Sequence, residues 1–175
     1  MSGEMMLLEK KRFVSLLEIV RREGELLLKT DVRLFTSTID ANWVRQLEYD
    51  DDLSERLDAF VSRFGRMQDT LGDKLLPSLL RLLAEKTGSV LDNLNKAEKL
   101  GLLVSVMQWL DVRNLRNKLI HEYMQDAEEF ALALNQAHVE VALLIATYNA
   151  INQFAQSRVE SASWPRILNS KLEIK

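Results

Sequence analysis

The chain has 175 residues, a length that suits one domain and can bury a sizeable core without help from a partner. It contains no cysteine, which excludes disulfides, thiolate nucleophiles and thiolate metal sites together. With 26 acidic and 23 basic residues the net charge is −3, so no global field attracts nucleic acid and any polyanion must be held by a local cluster.

Only six glycines and two prolines punctuate the chain, and that scarcity favours long helices over a turn-rich β architecture. The opening MSGEMMLLEKKRF has too short an apolar run for a signal peptide and carries Glu4 and Glu9. No uninterrupted apolar run approaches the roughly 20 residues needed to cross a bilayer. VALLIA at 141–146 is among the longest, so a cytoplasmic protein without a membrane anchor is expected.

Residues 5–29 place Leu7, Leu8, Val14, Leu17, Val20 and Leu27 among charges, the pattern of an amphipathic helix. The mixed, β-branched stretch from Thr30 to about Asp40 predicts a bend or short connector. Asn42–Glu48 predicts a short helix, and Asp50, Asp51 and Asp52 read as a helix start or loop, since negative charge is favourable at a helix N-terminus. From Leu53 to Lys86 the helical period is strong, but Gly72 and Pro77 predict a kink or break.

Ser89 to Leu100 predicts a shorter helix that Gly101 stops, and Ser105 opens the next. A last long helix is expected from about Ala127 to Val159, with its apolar stripe at 141–154 in the core and an irregular tail over 161–175. The sum is a single all-α domain over 1–160, an antiparallel bundle of four to five helices.

The segment RNLRNKLIHEYMQD at 113–126 is unlike an ordinary helix surface. On an ideal helix turning about 100° per residue, Arg113, Asn117 and His121 share one stripe, while Arg116 and Tyr123 share another. Arg116 and His121 are then about 140° apart around the axis, so they do not touch within one undistorted helix. If both act on one ligand, the helix edges a groove or a second subunit completes the site.

These side chains suit phosphodiester chemistry on RNA. A histidine can move a proton to or from a ribose hydroxyl or a leaving oxygen. An arginine fork binds phosphate and stabilises charge that grows in the transition state. RNA carries its own nucleophile, the 2′-hydroxyl, so neither a metal nor a cofactor is obligatory, and the chain offers no thiols and no HExxH. A solvated helix face is the plain alternative for the same residues.

The order Arg116, four residues, His121, one residue, Tyr123 resembles the Arg-x4-His-x-Tyr signature of the HEPN superfamily, in particular the HepT toxins of HEPN–MNT toxin–antitoxin pairs. RFGRMQDTLGDKLLP at 63–77, NLNKAEKLGLL at 93–103 and WLDVRNLRN at 109–117 also look like that family's middle helices, so the resemblance covers about 53–130. It implies a helical bundle that forms a homodimer, with two motifs facing one cleft, and a metal-independent endoribonuclease of a type VII-like pair, for which tRNA is one candidate substrate.

Carried over, Arg116 and His121 are the catalytic residues, as phosphate binder and general acid or base. Arg113 and Asn117 would bind substrate. Tyr123 would be adenylylated by a nucleotidyltransferase antitoxin, which silences the toxin. The alternative implied by the same resemblance is a non-catalytic subunit that holds substrate or nucleotide for that transferase.

Three other features have two readings each. Arg63, Arg66 and Asp69 either line the cleft or form structural ion pairs. Trp109 and Leu110 fit core or dimer contacts better than base-stacking surfaces, given their apolar spacing with Val112 and Leu119. His138, among Ala137, Val139 and Val141, reads as a helix residue without catalytic duty.

Overall fold

A computed structural model describes residues 2–121, 125–161 and 163–170. Every regular element among them is helical: α1 (Gly3–Leu34), α2 (Ala41–Gln46), α3 (Asp51–Asp69), a π-helical stretch (Thr70–Leu75), α4 (Leu76–Leu82), α5 (Val90–Lys99), α6 (Val106–His121) and α7 (Ala127–Arg158).

The helices begin where side chains can satisfy the first free N–H groups. Asp40 accepts from the Trp43 amide at 2.8 Å, and Asp50 from Leu53 at 2.9 Å, with Asp51 and Asp52 in the first turn beside the positive helix end. The expected helix start at the triple aspartate is therefore present. At α5, Ser89 and Asp92 form a reciprocal capping box of 3.1 and 3.0 Å. Gly101, at φ +75°, ends that helix as expected. The Leu102 amide reaches Ala97 O at 2.9 Å and the Gly101 amide reaches Glu98 O at 3.0 Å, a full Schellman closure.

Contacts between helices fix their directions. Thr30 meets Arg63, Glu23 meets Thr70 and Glu9 meets Arg81, so α1 runs antiparallel to the α3–α4 rod. Asp31 against His138 sets α7 antiparallel to α1, and Gln108 against Glu140 brings α6 alongside α7. The core between them holds Phe13, Leu17, Leu27, Phe60, Phe64, Met67, Leu144 and Tyr148, none of which reaches solvent. The all-α bundle inferred from periodicity is what the chain forms.

Two boundaries differ from the expectation. α1 continues past Thr30 to Leu34 because Thr30 returns its hydroxyl to Leu26 O at 3.0 Å and Asp31 finds a partner on α7. Tertiary contacts thus override the weak helix propensity of that stretch. Nor does the α3–α4 rod break at Gly72 and Pro77. A π turn absorbs the irregularity, with the Leu76 amide bonding Leu71 O five residues back, and Pro77 falls in the first turn of α4 where its missing N–H costs least.

α7 is, among the described helices, long and apolar enough to cross a bilayer by length and composition, although no single apolar run within it is long. Half of that stretch is buried in the bundle, against α1, α2 and α6. Its apolar character serves the core.

α4 closes with the same Schellman geometry as α5, but Ala84 holds the left-handed position at φ 57°. A left-handed alanine costs about 1–2 kcal/mol, part of which a glycine returns through its freer unfolded chain. Ala84→Gly should therefore stabilise the fold by roughly 0.5–1 kcal/mol and raise Tm by about 1–4 °C in thermal unfolding. A lowered Tm would show that this helix end is not under backbone strain.

Candidate functional site

α6 carries the motif, and its seat on α3 decides which side chains become available. Ser105 accepts from the Gln108 amide at 3.3 Å and starts the helix. Trp109, Val112 and Leu119 turn inward and are buried. Gln68 donates to Trp109 O at 3.3 Å, fastening the two helices where their faces meet.

Two glycines on the α3–π rod make that seat possible. A Cβ on Gly72 would lie 3.2 Å from the Trp109 ring, and a Cβ on Gly65 would lie 2.7 Å from Arg116 Nε. Gly65 and Gly72 are seven residues apart, as are Trp109 and Arg116, so two large side chains rest on two bare stretches of backbone. Close approach of this kind is what a missing Cβ provides.

Arg116 is held there by Asp69. Its Nη2 lies 2.9 Å from Oδ2 and its Nη1 donates to Oδ1 at 3.1 Å, a two-point fork on the carboxylate. The arginine side chain keeps 24% of its surface accessible, and the aspartate 40%, so the pair sits at the edge of solvent. Of the two readings open for Asp69, the ion pair is realised, and it is realised at the groove.

That groove has a volume of about 900 Å³ and runs between α3, the π turn and α6. Arg66, Lys74, Arg113 and Arg116 line it, opposed by Asp58, Asp69 and Asp73, with Val61, Leu119 and Ile120 as apolar wall. Four basic groups meet three acidic ones in a chain whose net charge is −3, so the balance is locally reversed. Arg66 donates to the Ser62 hydroxyl at 3.3 Å, and among the described residues Arg66, Lys74 and Arg113 form no direct ion pair with a carboxylate, although Arg66 and Lys74 act on Glu23 at longer range. Arg63, by contrast, turns away to α1, where it donates to Leu26 O at 3.2 Å and to the Thr30 hydroxyl.

The structure brings Arg113 and Arg116 together at the groove and leaves two other expected residues outside it. Asn117 and His121 are exposed and do not line the groove. α6 is regular as far as His121, so the separation of about 140° from Arg116 persists. Tyr123 lies outside the described residues.

Sequence reasoning missed three participants. Glu23 on α1 accepts from the Thr70 hydroxyl at 3.0 Å, at the first residue of the π turn. Burial pushes its carboxyl above the ordinary glutamate value of 4.5, against the pull of that hydrogen bond, Arg66 and Lys74. Lys74, on the π turn, lines the groove. Gly65 was readable in principle, since its spacing of seven from Gly72 places both on one helix face.

The second histidine is also engaged. His138 Nδ1 lies 2.7 Å from Asp31 Oδ1, and its ring stacks on Phe35 with centroids 4.4 Å apart. Burial raises the Asp31 carboxyl, and the imidazole opposes that shift. No family model, curated protein or solved structure matches this chain.

Glu23 yields a pH-dependent expectation. Its folded pKa lies above its unfolded value, so the fold favours the neutral acid, and the cost of ionising it appears as pH rises above 4.5. Glu23→Gln keeps an acceptor for Thr70 but cannot ionise. The variant should match wild type in Tm well below pH 4.5 and exceed it increasingly towards pH 8. A Tm difference that is constant with pH would mean that Glu23 is not strained by ionisation.

Proposed function

We propose that this chain is a HepT-like toxin: a metal-independent endoribonuclease of a type VII-like HEPN–MNT pair, working as a homodimer and neutralised by a nucleotidyltransferase antitoxin. The observation that carries the reading is that Arg116, the arginine of the Arg-x4-His-x-Tyr pattern, lies with Arg113 on an open groove with unpaired cations.

The chemistry follows from RNA itself. The 2′-hydroxyl attacks the adjacent phosphorus and the bond to the 5′-oxygen breaks, leaving a 2′,3′-cyclic phosphate and a free 5′-hydroxyl. Arg116 gives its fork to the phosphate as negative charge grows on the equatorial oxygens. Arg113, with Asn117 at the rim, holds the flanking backbone. His121 takes the nucleophile's proton or supplies one to the leaving oxygen. Because His121 lies off its own chain's groove, the histidine facing Arg116 comes from the second copy. Adenylylation of Tyr123, seven residues after Arg116 in the sequence, would add bulk and negative charge to the motif and oppose phosphate binding.

A second reading draws on a different observation. Both Nη atoms of Arg116 are already engaged by Asp69, and His121 stands apart, as in a subunit that binds substrate or nucleotide for a transferase without cleaving anything.

Two experiments separate these readings. Protein purified without its partner should cleave tRNA in excess EDTA, and Arg116→Ala or His121→Ala should each lose about 100-fold or more while keeping a native circular dichroism spectrum. Intact tRNA with unmodified wild-type protein favours the binding subunit. With a cognate transferase and ATP, intact-mass analysis should show one adenylyl addition on wild type and none on Tyr123→Phe; addition to both would remove Tyr123 from the mechanism.

A further inference from the structure

Residues 163–170 form no helix, yet Trp164, Pro165, Arg166 and Leu168 are each held by α1 or α7. Asn149 grips one residue at both backbone positions: the Leu168 amide donates to its Oδ1 at 2.8 Å, and its Nδ2 donates to Leu168 O at 2.7 Å. Asn152 donates to Pro165 O at 2.8 Å, and the Tyr148 hydroxyl donates to Arg166 O at 2.7 Å.

Side chains add specificity. The Leu168 side chain is buried over Gly24, where a Cβ would lie 2.4 Å from Leu168 Cδ1. Trp164 meets Phe13 edge-on at 6.4 Å, and the Arg166 guanidinium pairs with Glu25.

Four hydrogen bonds join α7 side chains to the backbone of this segment, while α1 meets its side chains at Phe13, Gly24 and Glu25. Recognition of backbone and side chains by two helices does not depend on how the segment is attached. α7 ends at Arg158, a few residues before this segment, so the attachment supplies a high effective concentration.

We propose that the α1–α7 groove is a peptide-recognition site, that the C-terminal segment occupying it is exchangeable, and that the corresponding segment of a second copy of this chain binds there in trans. A second copy is the partner whose fit is already displayed, since it carries the same Trp164, Pro165, Arg166 and Leu168. Exchange of an identical element between copies leaves every local contact unchanged.

The probe is a fluorescein-labelled peptide of residues 163–170, titrated against full-length chains by anisotropy. Leu168→Asp weakens the chain's own tail and leaves the groove intact, so it should bind the peptide at least about tenfold more tightly than wild type, whose tail competes. Adding Asn149→Ala to that variant should cost at least about tenfold, because both backbone bonds to Leu168 go.

A Leu168→Asp chain with native circular dichroism that takes up no peptide, or whose binding ignores Asn149→Ala, would overturn the proposal. If Leu168→Asp does not fold, wild type carrying a protease site inserted between Glu160 and Ser161 replaces it. After cleavage the tail should stay bound on gel filtration and be displaced by excess peptide. A severed tail that never exchanges would likewise overturn it.

Discussion

The structure around the candidate site depends on bare backbone meeting two large side chains. Gly65 and Gly72 let α6 settle onto the α3–π rod, with Arg116 against one and Trp109 against the other. Trp109 contributes buried apolar area to the core, and Arg116 lays its Cγ, Cδ and Nε over Gly65 before its Nη atoms reach Asp69. An arginine stem so close to a neighbouring helix needs that neighbour to lack a side chain. The register of α6, and with it the positions of Arg113, Arg116, Asn117 and His121, follows from this seat.

The same seat places charge in a half-dry groove. Arg116 and Asp69 neutralise each other at short range, yet Arg66, Lys74 and Arg113 keep an excess of positive charge facing the opening. On the inner side, Glu23 is held against Thr70 where burial disfavours its ionised form. The π turn links the two environments: it offers the Thr70 hydroxyl inward and Lys74 outward within five residues. π turns survive where neighbouring structure over-determines them, and here α1 packs on one side and α6 on the other.

α1 also couples the groove to the far side of the bundle. Glu23 faces the π turn, while its neighbours Gly24 and Glu25 receive Leu168 and Arg166 of the tail. Three consecutive residues thus meet three different partners. The tail is irregular as the sequence implied, but it is a packed element, because α7 supplies amide and hydroxyl groups that replace the hydrogen bonds a helix would have made.

Caps and amphipathic faces were legible in the sequence because they rest on local rules: Asp50, Ser89 and Gly101 act on amides within a few residues of themselves. The described helices number more than the four to five expected, because the short α2 stands apart and the π turn divides the stretch from Leu53 to Lys86. The angular separation of Arg116 from His121 was legible for the same reason, since helix pitch is local. What the sequence could not supply were the partners of Arg116, Glu23, His138 and Leu168, which lie between 19 and 144 residues away along the chain. It also could not show that Gly72 would be absorbed into a π turn and Pro77 into the first turn of α4. The local sequence determined which helices form and which faces they offer; packing alone decided which of those faces meet, because contacts between distant residues leave no periodic trace in the chain.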